Sequence, residues 1–247
     1  MEVHHHPDLH HKQKKWKEYF LEFLMIFLAV TMGFFAESFR EHIIDNAKEK
    51  EFIISMIEDA QTDIVNINEA FSLNKLRSLH LDSLAVICIN YNAIDNADSR
   101  IYRLYRYGLI HPAFISPTER TMQQLKNSGG MRLIKRKTAV DSIILYDNAA
   151  KKLADQQAYY ELYQNESAKS AVSLFNFQKL GFSKIIHISD KDSSFQLLTH
   201  DKILLAEFSN RITIYSGVVG FYNIRLLEMK AHAVNLIETL KKEYKLE

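Results

Sequence analysis

Apolar positions change their rhythm along this chain, and each change marks a different kind of element. From Tyr19 to Phe39 the run YFLEFLMIFLAVTMGFFAESF is almost continuously apolar. After it, apolar residues fall back to helical spacing, at Ile53, Ile57, Ala60, Ile64, Ile67 and Phe71, separated by 4-3-4-3-4. That is a heptad-like stripe on one face of a helix. No Pro lies between Pro7 and Pro112 and no Gly between Gly33 and Gly108. Nothing in that interval breaks a helix, so one continuous helix is predicted from the apolar run to about Tyr91.

Downstream, a polar link from Asn92 to Ser99 precedes a short helix, capped by Asp98 or Ser99 and ending before Gly108. Ser116-Pro117-Thr118-Glu119 reads as a helix start: Ser as N-cap, Pro at the first position, Glu returning a bond to the cap amide. That helix should stop at Gly129. A long helix should follow from about Met131 or Lys137 to Leu180, with Val140, Ile143, Ile144, Leu153 and Ala154 on one face. The segment 181–194 is the place for a short strand or irregular loop. A last helix from about Thr199 to Tyr244 carries Leu204, Phe208, Tyr215, Val219, Tyr222, Leu226, Met229, Ala233, Leu236 and Leu240. Gly217 and Gly220 either weaken it locally or permit close packing. The fold class is therefore all-α, an N-terminal transmembrane helix continuing into an antiparallel bundle of long helices. Three parts are expected: a basic, His-rich tail over 1–18, the transmembrane helix over 19–39, and the bundle over 40–247.

Length decides whether the apolar run can cross a bilayer. Its uncharged core, Phe23 to Ala36, has 14 residues, about 21 Å of helix. Counting Tyr19 to Phe39 gives 21 residues, about 31 Å, which matches a hydrocarbon layer of roughly 30 Å. Eleven Leu, Ile, Phe and Val residues contribute roughly −3 to −7 kcal/mol to insertion. Glu22 and Glu37 would each cost about 3 kcal/mol at the bilayer centre and much less near its faces, where they lie. Trp16 and Tyr19 sit where an aromatic belt belongs. Two rivals are a cleaved signal peptide, which lacks small residues before a cut at Phe34, Phe35, Ala36, and the core helix of a soluble protein. Lys12, Lys14, Lys15 and Lys17 before the run, against Arg40, Lys48 and Lys50 after it, favour a cytoplasmic N-terminus and an exported bundle.

Charge adds little. Thirty acidic residues balance 31 basic ones, so no bulk field points to nucleic acid. The lone Cys88 forbids an internal disulfide and lies in the apolar run LAVICI, the setting of an inert thiol.

The opening MEVHHHP…KEYFLEFLMIFLAVTMGFFAESFREH resembles the start of a group of uncharacterised bacterial single-pass membrane proteins. The segment TMQQLKNSGGMRLIKRKTAVDSIILY, Thr121 to Tyr146, is similar to a helix–Ser-Gly–helix element of a related family of unknown function. The resemblance implies an inner-membrane location and carries over no catalytic residue.

Several constellations have chemistry to offer. His4, His5, His6, His10 and His11 could ligate zinc, copper or nickel. Glu22 and Glu37, ionisable residues in the membrane segment, lie about 60° apart around the helix and could line a proton or cation path in an oligomer. Their plainer role is to reach the interfaces, Glu37 toward Arg40. Arg100, Arg103 and Arg106 share a helix face, and with Arg132, Lys135 and Arg136 form two basic clusters suited to anionic head groups or to solvated ion pairs. Glu22, Ile26, Ala29, Gly33, Ala36, Arg40, Ile43, Ala47, Lys50, Ile54 and Ile57 keep 4-3 spacing without a slip. Ala29, Gly33 and Ala36 would let two copies approach closely in lipid. The soluble end of that stripe has the competing option of packing on the chain's own bundle.

No nucleophile elbow, P-loop, HExxH or paired zinc cysteines occur, and Glu228 and His232 are four apart, not the three a di-iron bundle needs. No cofactor is implied. The sequence therefore predicts a membrane-anchored, non-enzymatic helical binding, sensing or scaffold protein. Its expected partners are membrane lipid, a second copy, or a protein or small molecule. An ion conductor using Glu22 and Glu37, or an enzyme of unrecognised type, are the alternatives.

Overall fold

The computed structural model describes residues 15–110, 112–180, 188–189, 191 and 194–246. It is 84% helical, and the described residues contain no strand. Six α-helices follow in order: α1 (Trp16–Ile89), α2 (Ala97–Leu109), α3 (Arg120–Asn127), α4 (Lys137–Ser170), α5 (Phe177–Leu180) and α6 (Lys202–Tyr244). The all-α expectation holds. The chain divides into two compact units, 1–50 and 51–247, and α1 belongs to both.

In the first unit α1 is bare. Every residue from 19 to 39 is exposed except the half-buried Thr31. The Thr31 hydroxyl donates to the carbonyl of Phe27, 2.7 Å away, and so satisfies itself inside its own helix. The helix is long and apolar enough to cross a membrane, and none of its most apolar stretch is buried.

In the second unit α1 carries a strict stripe. Residues 53, 56, 60, 63, 67, 70, 74, 77, 81, 84 and 88, spaced alternately by three and four, are all buried. Three of them are polar: Asp63, Asn74 and Arg77. Side-chain bonds fix the directions of the long helices. Asp63 meets Tyr146 and Arg77 meets Tyr160, so α1 and α4 run parallel. Ala85 meets Ser209 and Asn68 meets Lys230, so α6 runs antiparallel to α1. Ser167 and Arg136 of the α4 side reach Arg211 and Glu243, which makes α6 antiparallel to α4 as well. The parallel pair is possible because α2, α3 and their links carry the chain back between α1 and α4.

The stripe of α6 is as expected: nine of its ten apolar positions are buried, and Leu204 is half-buried. Asp201 caps that helix, accepting from the amides of Ile203 and Leu204 at 2.8 and 3.0 Å. A Cβ on Gly217 or Gly220 would meet nothing within 4 Å, so neither glycine serves close packing. Gly129, at φ 67°, ends α3 in the left-handed conformation, as its sequence position indicated.

Several boundaries differ from expectation. The short helix α2 begins at Ala97 after a left-handed Asn96 and runs through Gly108, with neither Asp98 nor Ser99 as its cap. Gly108 serves contact: a Cβ there would lie 2.9 Å from Leu81 Cδ2 of α1. The Ser116-Pro117 start fails. Ser116 is exposed, α3 begins at Arg120, and its first turn is satisfied from another helix. Asp59 of α1 accepts from the Thr121 amide at 3.1 Å, and Asp63 accepts from the Thr118 amide and hydroxyl at 3.0 and 2.7 Å. Helix α4 stops at Ser170, ten residues early, so that Phe175 can enter an aromatic cluster with Tyr102, Tyr105 and Phe208. On α4 itself Ile143 and Leu153 are buried, but Ile144 and Ala154 are exposed. Tyr146 and Tyr160 take their place on the inner face. The expected irregular segment 181–194 lies largely outside the described residues.

Candidate functional site

The polar positions of the α1 stripe build the most distinctive chemistry of the second unit. Asp63 is fully buried and has donors to match its charge: the Thr118 amide and hydroxyl, and the Tyr146 hydroxyl. Asp59, 2% exposed, accepts from Thr121 and from the Arg120 guanidinium at 2.8 Å. Burial, and then the bond to Asp63, push the Tyr146 phenol well above its usual range. These carboxylates tie the segment before α3 onto α1.

Arg77 stands four turns further along and is different. It is 5% exposed, yet among the described residues its one close hydrogen bond is from Nη1 to the Tyr160 hydroxyl, 2.7 Å away, with the Tyr215 phenol near enough to feel its charge. Tyr160 passes the chain on to Asn74 Oδ1 at 3.1 Å, and Asn74 donates to the carbonyl of Ala113 at 2.8 Å. Arg77 Nε is buried with no hydrogen-bond partner. Among the described residues no carboxylate pairs with this guanidinium. An arginine offers five N–H donors and is always charged, so a buried one normally has an acid or several carbonyls against it.

Arg77 borders a cleft of about 580 Å³. Leu73 and Leu76 of α1 form one wall, Phe114 and Ile115 of the α2–α3 link the other, with His80 and Tyr107 at one end and Glu69 at the rim. The link is anchored: the Ile115 amide donates to the Tyr222 hydroxyl at 3.1 Å, and Phe114 packs edge-on to Tyr160. Tyr160 also meets Tyr215 and Tyr222 edge-on, forming a rigid aromatic base under the cleft. Burial is the first cause that lowers the His80 imidazole below its ordinary value, with the charges of Arg103 and Arg77 adding to it. Its ring lies over Tyr107, centroids 5.5 Å apart.

The residues singled out from sequence fare differently. Arg103 contributes charge near His80, but Arg106 is turned inward, where it donates to the carbonyl of Leu180 at 3.1 Å and closes the end of α5. It is not a solvated anion ligand. Arg100 is half-buried, with its Nε unbonded. Arg132 and Lys135 are exposed, whereas Arg136 pairs with Glu243 at 3.3 Å and covers the Tyr244 ring at 4.7 Å. Arg136 thus pins the start of α4 to the end of α6. Glu37 is held by both Arg40 nitrogens, with Nε at 3.0 Å, which is the local partner its position suggested. Glu22 is exposed on α1. Ala29, Gly33 and Ala36 are exposed as well, and a Cβ on Gly33 would touch nothing within 4 Å. The seam they begin divides beyond residue 50, since Ile57 is buried in the bundle and Ile54 is exposed. The His4, His5, His6, His10 and His11 cluster lies outside the described residues. Among the described residues no group of three metal-ligating side chains converges.

Two other groups have a catalytic look. Asp98 gathers the Tyr91 hydroxyl, the Leu197 amide and the His200 ring at 2.7, 3.1 and 3.2 Å. All its contacts tie helix ends together, and no nucleophile stands beside it among the described residues. Cys88 is buried, and burial pushes its thiol up to about 12. The sequence reading missed Arg77. The signal was present: Arg77 is the one basic residue on the buried α1 stripe, where Asp63 and Asn74 are the other polar positions.

No protein-family model matches this chain, and no curated protein or solved structure matches it.

Proposed function

We propose that this protein is a membrane-anchored, non-enzymatic binding module. In this reading residues 19–39 of α1 sit in a bacterial inner membrane, with the N-terminus in the cytoplasm and the helical unit outside. The unit then offers the Arg77 cleft to a ligand. The observation that carries the reading is α1 itself: one helix bears both a bare apolar run and a buried cation that no acid among the described residues neutralises. A bare run of this length in water would bring about self-association or aggregation, whereas a bilayer covers it. The absence of an exposed activated thiol and the structural engagement of Asp98 support a binding role over catalysis. Contact between copies through Ala29, Gly33 and Ala36 fits the same setting, because small residues allow helices to approach in lipid.

Fractionation tests the anchor. The full-length chain should stay with membranes through carbonate extraction. Protease added to spheroplasts should remove the unit after Arg40, while sealed inverted vesicles should protect it. Release by carbonate would overturn the anchor. Digestion only in inverted vesicles would reverse the orientation.

A further inference from the structure

We infer that the cleft beside Arg77 binds a small organic monocarboxylate, its carboxylate on the guanidinium and its apolar body between Leu73, Leu76 and Phe114. This rests on the binding-module reading and adds the ligand's chemical class.

The guanidinium comes first. Arg77 is 5% exposed, has only neutral phenols beside it among the described residues and keeps a buried Nε without any partner. A charge held this way in a low-dielectric site calls for an anion, and the planar fork of arginine suits a carboxylate. The cleft supplies room for more than a bare ion, since about 580 Å³ lies within the range of sites that enclose small molecules. Its walls are largely aliphatic and aromatic, so an inorganic anion would leave them unused.

The number of charges narrows the class. Of the described lining side chains, Arg77 is the only arginine or lysine, and Glu69 at the rim is the only acid. His80 is held toward its neutral form. One negative charge on the ligand balances Arg77. A phosphate ester would bring a second charge with no further lysine or arginine among the described lining residues to meet it, Arg103 acting only from behind His80, and Glu69 to repel it. Tyr160, fixed by Asn74 and three aromatic neighbours, holds Arg77 in place before any ligand arrives.

The test uses the full chain in lipid nanodiscs, titrated calorimetrically with 3-phenylpropionate and with hexanoate. Controls are 3-phenylpropionamide, which keeps the body and removes the charge, and inorganic phosphate. At least one acid should bind saturably, and the amide and phosphate should bind at least about tenfold more weakly. Arg77→Met should weaken the acid about 100-fold or more. Leu73→Glu, on an exposed wall position one turn from Arg77, sets a carboxylate in the cleft and should weaken it about tenfold by repulsion and by pairing with the guanidinium. The His80 imidazole should move to higher pKa as the acid saturates the site. Saturable binding of neither acid would overturn the inference, as would equal affinity for the amide or phosphate, or an unchanged affinity in both variants. Carbonate-resistant membrane association in the same preparation shows which reading has failed. If association persists without acid binding, the ligand class is wrong and the anchor stands.

Discussion

Asp63 and Arg77 lie two heptads apart on the same stripe of α1, and both are buried. They are solved in opposite ways. Asp63 receives an amide, a hydroxyl and a phenol, all from segments that it thereby positions. Arg77 receives one phenol oxygen and faces a cleft. A fully satisfied buried charge is part of the frame, whereas a charge left short of partners is a cost that a ligand can relieve. The same helix therefore contains a satisfied ion and an under-satisfied one, and they are told apart by counting partners.

The largest test of that difference is Asp63→Ala. It strips the acceptor from the buried Tyr146 phenol and from two half-buried Thr118 donors, and should cost about 3–5 kcal/mol in chemical denaturation. Arg77→Met should behave in the reverse sense. With no ligand present it removes an uncompensated cation, so stability should stay level or rise by up to about 2 kcal/mol. A large loss there would make Arg77 a frame residue and break the comparison. Next in size is Tyr160→Phe, which leaves Asn74 Oδ1 without its donor and should cost about 1–2 kcal/mol. The same change in an Arg77→Met background should cost about 1 kcal/mol less, because the guanidinium no longer needs the phenol.

The smallest effect is in pH. Burial, Arg103 and Arg77 hold His80 below its ordinary 6.5. The unfolded chain therefore takes up this proton at higher pH than the folded one. The stability His80 confers is complete above the unfolded value and declines as pH falls through it. His80→Gln should flatten the stability profile between about pH 7 and 5. Arg77→Met should raise the His80 titration in the folded protein, read by imidazole NMR.

Much of the frame was legible because it depends on repetition. The α6 stripe repeats over about ten turns, and a pattern of that length averages out single exceptions such as Leu204. The continuity of α1 beyond the apolar run followed from the absence of Pro along it and of Gly after Gly33. Single residues were harder. Ser116-Pro117 has good cap chemistry, yet the buried carboxylates of Asp59 and Asp63 bind the same region from another helix, and a charged acceptor outcompetes a serine hydroxyl. The break after Ser170 has no glycine or proline to announce it. It follows from the burial of Phe175 among Tyr102, Tyr105 and Phe208, a long-range gain that local sequence does not display. Arg106 looked like a surface cation and proved to be a helix stopper, because Leu180 lies 74 residues away in sequence. Arg77 was visible as a flaw in the heptads, but whether its partner is an acid or a cleft depends on which loop lies over it.

The borrowed cap of α3 has a consequence in time. Eight residues without a cap of their own do not hold a helix in water. Helix α3 must therefore form late, after α1 has offered Asp59 and Asp63, and mutations within it should alter unfolding rates more than folding rates. In the native protein it should open as a small unit together with the preceding link, whose Phe114 and Ile115 wall the cleft. Amide exchange along Thr121 to Leu125 would then act as a clock for the cleft, slowing when the cleft is occupied.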